Sequence, residues 1–158
     1  MHASFAVAIV AALAIASAAA ETPKHGGILR VEHRDNPPSA SILEEATIST
    51  VMPFASVFNN LVTFGANTNQ DRPNDIVPDL AESWAWSPDG TALTFKLRHG
   101  VRFHDGKPFT AADVKCTFDL IQGKGETRLR KNPRRSWYVE LKDVTTTGDD
   151  QVTFDLLA

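Results

Sequence analysis

The spacing of apolar residues changes several times along the chain, and each change marks an element. Ala3 to Ala16 is almost continuously apolar, small residues follow to Ala20, and Glu21 opens a polar stretch. Gly26-Gly27-Ile28-Leu29-Arg30-Val31-Glu32-His33 has the short apolar content of a first strand, after which Asn36-Pro37-Pro38 blocks regular structure. Between Ile48 and Leu61 the apolar residues Ile48, Val51, Met52, Ala55, Phe58 and Leu61 recur at three- and four-residue steps, which predicts a helix that includes Pro53. Residues 63–79, rich in Asn, Asp and Pro, read as an exposed loop.

The period then falls to two. Trp84 and Trp86 alternate with Ser83, Ala85 and Ser87, Pro88-Asp89-Gly90 supplies a turn, and Leu93, Phe95 and Leu97 alternate with Thr94, Lys96 and Arg98. This is the pattern of a β-hairpin with one buried face. His104-Asp105-Gly106-Lys107-Pro108 predicts another turn. Thr110 and Asp113 then have the spacing of a capping box, with Asp in place of the usual Glu, ahead of a helix whose Val114, Phe118 and Ile121 share a face. Gly123 and Gly125 end that helix. Strand signals return from Trp137 to Val144 and in Val152, Phe154 and Leu156, either side of a turn at Gly148-Asp149-Asp150. The chain stops at Ala158 while still in a strand pattern, so it reads as truncated.

Composition narrows the class without naming it. The chain is 42% hydrophobic and 22% charged over 158 residues, ordinary for a water-soluble globular protein. A net charge of −3 gives no global attraction to nucleic acid or to an anionic membrane. The apolar start, shorter than the roughly 20 residues of a bilayer span, followed by Ala18-Ala19-Ala20, is the layout of a signal peptide cut after Ala20. No Lys or Arg precedes Lys24, which departs from that layout. Cys116 is the only cysteine and lies far from the cut, so it offers neither a lipid anchor nor an internal disulfide. Two segments are therefore expected: residues 1–20 as signal peptide, and residues 21–158 as the mature chain.

From Val77 to Ile121 the sequence strongly resembles the peptide-, dipeptide- and nickel-binding family of extracellular solute-binding proteins. The resemblance runs in order through Pro78-Asp79-Leu80-Ala81-Glu82-Ser83-Trp84, the Asp89-Gly90 turn, Phe95-Lys96-Leu97-Arg98, Phe103-His104-Asp105-Gly106 and Pro108-Phe109-Thr110-Ala111-Ala112-Asp113-Val114. Gly26-Gly27-Ile28-Leu29 also resembles the family's opening strand, and Ser136 to Leu157 its next paired strands. The resemblance implies an α/β fold of the periplasmic-binding-protein type (type II, two-lobed). Only part of the first lobe and its adjacent subdomain would be present in residues 21–158. It also implies a periplasmic component of an ABC importer that captures oligopeptides, dipeptides or related small solutes and delivers them to the permease subunits in the inner membrane. A monomer is expected. The alternatives are a truncated product that binds nothing tightly and a binder of sugars, opines or metal chelates.

Candidate ligand contacts fall in two groups. His33, Arg34 and Asp35 follow the first expected strand, where loops at strand ends carry binding residues. The resemblance places an Arg and a Trp of the second segment, Arg134, Arg135 and Trp137, near the ligand. A guanidinium can grip a carboxylate bidentately and an indole offers a flat apolar wall, both suited to a peptide terminus. The competing reading is a solvated charged face with Trp137 in the core. Asp105 and His104 are read as turn residues. The basic run through Arg128, Arg130, Lys131, Arg134 and Arg135 could attract phosphates, but an export signal and an acidic total argue against nucleic acid. His99 and His104 have no zinc spacing, and the chain has no Gly-x-Ser-x-Gly, no phosphate loop and no paired His with Glu. No cofactor, metal or catalytic residue is therefore expected.

Overall fold

A computed structural model describes residues 25–33, 35–65 and 75–157. The expected signal peptide and Arg34 lie outside the described residues. The chain divides into two units, residues 1–32 and 33–158. In the first, Gly26 and Gly27 take φ of 77° and 102°, and Ile28, Leu29 and Val31 are exposed on irregular backbone. The strand expected over Gly26–His33 is absent. A strand exists only through a ladder partner, and none of the described strands pairs with this stretch.

The second unit opens with an irregular segment and then α1 (Ile48–Phe54). Periodicity ran this helix to Leu61, but it stops one residue after Pro53, which has no N–H to donate and whose ring crowds the preceding turn. Next come β1 (Val62–Phe64) and β2 (Ile76–Pro78), a two-stranded antiparallel pair. The stretch expected to be all loop thus has strand at both ends. Each strand is only three residues long, too short for a period of two to show.

A four-stranded antiparallel sheet holds the core. Its strands β3 (Ala81–Trp86), β4 (Ala92–Leu97), β5 (Leu141–Thr147) and β6 (Gln151–Leu156) lie in the order β3-β4-β6-β5. The β3–β4 turn closes as its sequence predicts, with Gly90 at φ 72° and Ser87 N–H donating to the Ala92 carbonyl at 2.8 Å. Asp89 accepts from the Thr91 N–H at 3.2 Å, and this bond and the Ser87 hydroxyl hold its pKa below the ordinary carboxylate value. The register sets Trp84 opposite Phe95, and Phe95 opposite Val152. Apolar side chains of β3, β4 and β6 therefore share one face. On the other face Thr94 and Thr153 pair at 2.9 Å between hydroxyls.

Helix α2 (Ala111–Gln122) packs on that apolar face against β5 and β6. Its start is the expected capping box: the Asp113 carboxylate accepts from the Thr110 N–H at 2.8 Å and from the Thr110 hydroxyl at 3.1 Å. Its end is Gly123 at φ 72°, where Lys124 N–H reaches back to the Asp119 carbonyl at 2.7 Å. Phe154 sits edge-on to Phe95 and Phe118, with centroids 5.5 and 4.7 Å away. Around them Leu97, Val144 and Val152 are fully buried, each side chain favouring the fold by about 1.5–3 kcal/mol.

The hairpin's buried face is only half covered. Trp84 and Trp86 lie on the apolar side, yet Trp86 is 56% exposed, and Trp84, at the exposed edge, meets the core ring of Phe95 at 6.4 Å between centroids. Four strands at about 4.8 Å spacing are wider than one helix of about 10 Å. Since α2 sits over β5 and β6, the Trp84–Trp86 end of β3 at the far edge goes uncovered, while Ala81 at its start is buried in the core. The 3-10 turn Arg135–Tyr138 leads into β5, in place of strand from Trp137, and sends Tyr138 against Phe118 at 5.4 Å.

Candidate functional site

Both groups of candidate residues in the second unit are anchored to one stretch, residues 42–49, just before and within the first turn of α1. In the first group the His33 Nδ1 lies 2.7 Å from the Asp35 carbonyl oxygen, and the Ser49 hydroxyl donates to the Asp35 carboxylate at 3.2 Å. In the second, the Arg134 guanidinium donates to two backbone carbonyls, from Nε to Ile42 at 3.0 Å and from Nη2 to Glu45 at 3.2 Å.

Two acidic side chains between those anchors meet the basic run. The Arg130 backbone N–H donates to Glu44 Oε1 at 2.7 Å, and its guanidinium reaches Oε1 at 3.3 Å and Oε2 at 3.0 Å. Lys131 pairs with Glu45 at 3.5 Å. The Arg130 hydrogen bonds hold the Glu44 carboxyl below its ordinary value, and Glu44 in turn raises the Arg130 pKa. A solvated basic face is thus only part of the picture: Arg130 and Lys131 are exposed but paired, forming a clasp between segments 86 residues apart. Arg128 turns back on its own loop, donating to the Gly125 carbonyl at 2.6 Å.

The clasp borders an open cleft of about 580 Å³, lined by Glu44, Glu45, Thr47, Lys131, Asn132 and neighbouring residues. Asn132 donates from Nδ2 to the Ile121 carbonyl at the end of α2 at 2.6 Å, while its Oδ1 is buried with no protein partner. Trp137 follows. Its backbone N–H donates to the Arg134 carbonyl at 2.9 Å, and the Arg134 guanidinium carbon stands 5.3 Å from its ring centroid. The indole is 68% exposed, so the alternative that placed it in the core fails. Arg135 is also exposed, one residue after Arg134 and two before Trp137 in the same turn.

Glu44, Glu45 and Asn132 went unnoticed in the sequence. The signal available was weak: a basic run calls for counter-charges, but nothing local says which of the acidic residues supply them. The turn residues behave as expected. Asp105 accepts from the Lys107 N–H at 3.0 Å and pairs with its ammonium at 2.9 Å, and Lys107 lowers its pKa. No group of three or more metal-ligating side chains occurs among the described residues. Nor, among those residues, is any helix long and apolar enough to cross a membrane.

The family model for bacterial extracellular solute-binding proteins, family 5, matches residues 75–158, just over half the chain. The chain is 34% identical over 141 residues to the oligopeptide-binding protein AppA of Bacillus subtilis, which covers 89% of this chain and 24% of that protein. The structure of that protein in complex with a nonapeptide superposes with a TM-score of 0.54 at 32% identity, over 72% of this chain and 21% of the other. The dipeptide binding protein from Pseudoalteromonas sp. SM9913, in complex with Met-Leu, gives a TM-score of 0.65 at 26% identity over 78% and 26%. The chain therefore has the fold of part of a periplasmic binding protein and spans about a quarter of the length of these relatives. These relatives are named as oligopeptide- and dipeptide-binding proteins.

Proposed function

This chain belongs to the bacterial extracellular solute-binding proteins of family 5, and from that premise we propose that it captures peptide-sized solutes for an ABC importer. Residues 1–20 export it and are removed after Ala20. It works as a monomer in the periplasm and hands its solute to the permease subunits in the inner membrane. In a full two-lobed protein of this family capture would proceed by closure, because a solute shifts the protein toward the closed state in proportion to the extra contacts it makes there.

The observation that carries this reading is the indole of Trp137, held beneath a guanidinium yet mostly exposed beside a cleft-forming segment. A flat apolar wall of that kind suits the side chain or peptide plane of a short peptide. Exposed Arg135 offers a cation for a terminal carboxylate. At the other anchor, His33 and Asp35 supply polar contacts. No step in this scheme needs a cofactor, a metal or a nucleophile.

Isothermal titration of the chain with a pool of di- and tripeptides tests the reading. It predicts saturable heat that disappears in Trp137→Ala, a variant whose exposed side chain should leave folding intact. Saturable heat with opines, sugars or metal chelates in place of peptides moves the substrate class. No saturable heat with any of them refutes solute capture by this chain.

A further inference from the structure

We infer that Arg134 is a positioning residue for the proposed site rather than its ligand cation. This deepens the solute-capture reading and rests on it for its functional meaning. An Arg near a binding segment is ordinarily credited with gripping the ligand's carboxylate, and the side-on edge formed by Nε and one Nη is suited to that grip. Here that edge is already engaged. Nε donates to the Ile42 carbonyl and Nη2 to the Glu45 carbonyl. Both acceptors belong to the tight turn in which the Ser41 carbonyl accepts from the Glu44 and Glu45 N–H groups. The guanidinium thus staples a turn whose outer carbonyls would otherwise face away from any backbone ladder.

The same planar group does a second thing. Its carbon lies 5.3 Å from the Trp137 ring centroid, so the plane that the two carbonyls fix also limits the rotation of the indole. A rigid guanidinium holds a neighbouring ring in a way that a flexible ammonium does not. The Glu44–Arg130 and Glu45–Lys131 pairs lie beside it and draw the same two segments together. Their own bonds run between side chains and to the Arg130 N–H, however, and Arg130 and Lys131 are themselves exposed. Arg134 bonds to the 42–45 turn and stands over the Trp137 ring at once.

The test reads Trp137 with no solute present, so it stands or falls separately from solute capture. In a Trp84→Phe, Trp86→Phe background Trp137 is the sole tryptophan, and time-resolved anisotropy reports its local rotation. Arg134→Ala is expected to increase the amplitude of the fast nanosecond component and shift emission to the red, with far-UV circular dichroism unchanged. Arg134→Lys keeps the charge without the fork and should fall between wild type and Ala. If Arg134→Ala does not fold, the Lys variant decides alone: increased fast motion supports the assignment. Anisotropy equal to wild type in a folded Lys or Ala variant overturns it. A solute affinity that falls while solute-free anisotropy stays constant overturns it too, returning Arg134 to the role of ligand cation.

Discussion

Phe154 is the ring on which the sheet and helix converge, and its removal tests the packing most severely. It is 8% exposed, stands at 77° to Phe95 and 89° to Phe118, and lies opposite Leu93 and Val144 in the sheet. Truncating such a ring to Ala leaves a cavity and costs about 3–5 kcal/mol, which includes about 0.5–1.5 kcal/mol for each edge-to-face pair lost. Against a total stability of about 5–15 kcal/mol for an ordinary domain, Phe154→Ala leaves a folded but weakened protein. Trp86→Ala is the control. That ring is larger, but β3 lies beyond the reach of α2 and Trp86 is 56% exposed, so its loss should cost about 1 kcal/mol. Urea unfolding followed by far-UV circular dichroism separates them. With a slope of about 2 kcal/mol per molar urea, the midpoint should fall by about 2 M in Phe154→Ala and by about 0.5 M in Trp86→Ala. Equal losses, or a Phe154→Ala cost below about 1 kcal/mol, would refute the half-covered sheet as the basis of the core.

Further predictions concern the clasp and the helix start. The folded-state pKa values of Glu44, Asp89, Asp105 and Asp143 are all lowered, by Arg130, Ser87, Lys107 and Lys124 respectively as the leading partners. Each contributes stability that is present above its ordinary value of 4.5 (Glu) or 3.8 (Asp). That contribution is lost as pH falls through the depressed folded value. The urea midpoint should therefore drop as pH falls below about 5, and Glu44→Gln should make that drop shallower; an unchanged slope would show that the Arg130 pair contributes nothing in solution. Asp113→Ala removes the acceptor for both the N–H and the hydroxyl of Thr110 and an acidic side chain from the first turn of α2. It should cost about 1 kcal/mol, seen as a lower urea midpoint at unchanged slope, and no shift would mean that the cap is dispensable.

The elements legible in the sequence are those specified by neighbours along the chain. The β3–β4 hairpin announces itself because alternation and a Pro-Asp-Gly turn coincide, and α2 because Thr110, Asp113 and Gly123 mark both ends of a 3.6-residue pattern. What alternation cannot say is whether anything covers the apolar face it defines. Trp84 and Trp86 have the right spacing for a core and sit on the right face, but the helix lies two strands away. Period alone also overran α1, where Pro53 outweighs the apolar residues that follow it. Of the candidate site, the sequence points to Trp137 and Arg134, and the structure places the guanidinium 5.3 Å from the indole centroid. The clasp was not, since Glu44 and Arg130 are 86 residues apart and charge complementarity at that separation leaves no local mark. His33 and Asp35 were chosen for following a strand that does not form, yet Ser49 ties Asp35 to the same stretch that Arg134 grips.

Solute capture itself is most directly tested by the melting temperature of the chain with and without a mixed di- and oligopeptide pool, in wild type and in Trp137→Ala. A solute that binds only the folded state, at ten times its Kd, adds about 1.4 kcal/mol of stability, or about 5 °C for a domain of this size. The account predicts a rise of that order in the wild type and none in Trp137→Ala. An unchanged melting temperature in the wild type, with peptides and equally with opines, sugars and metal chelates, would contradict it.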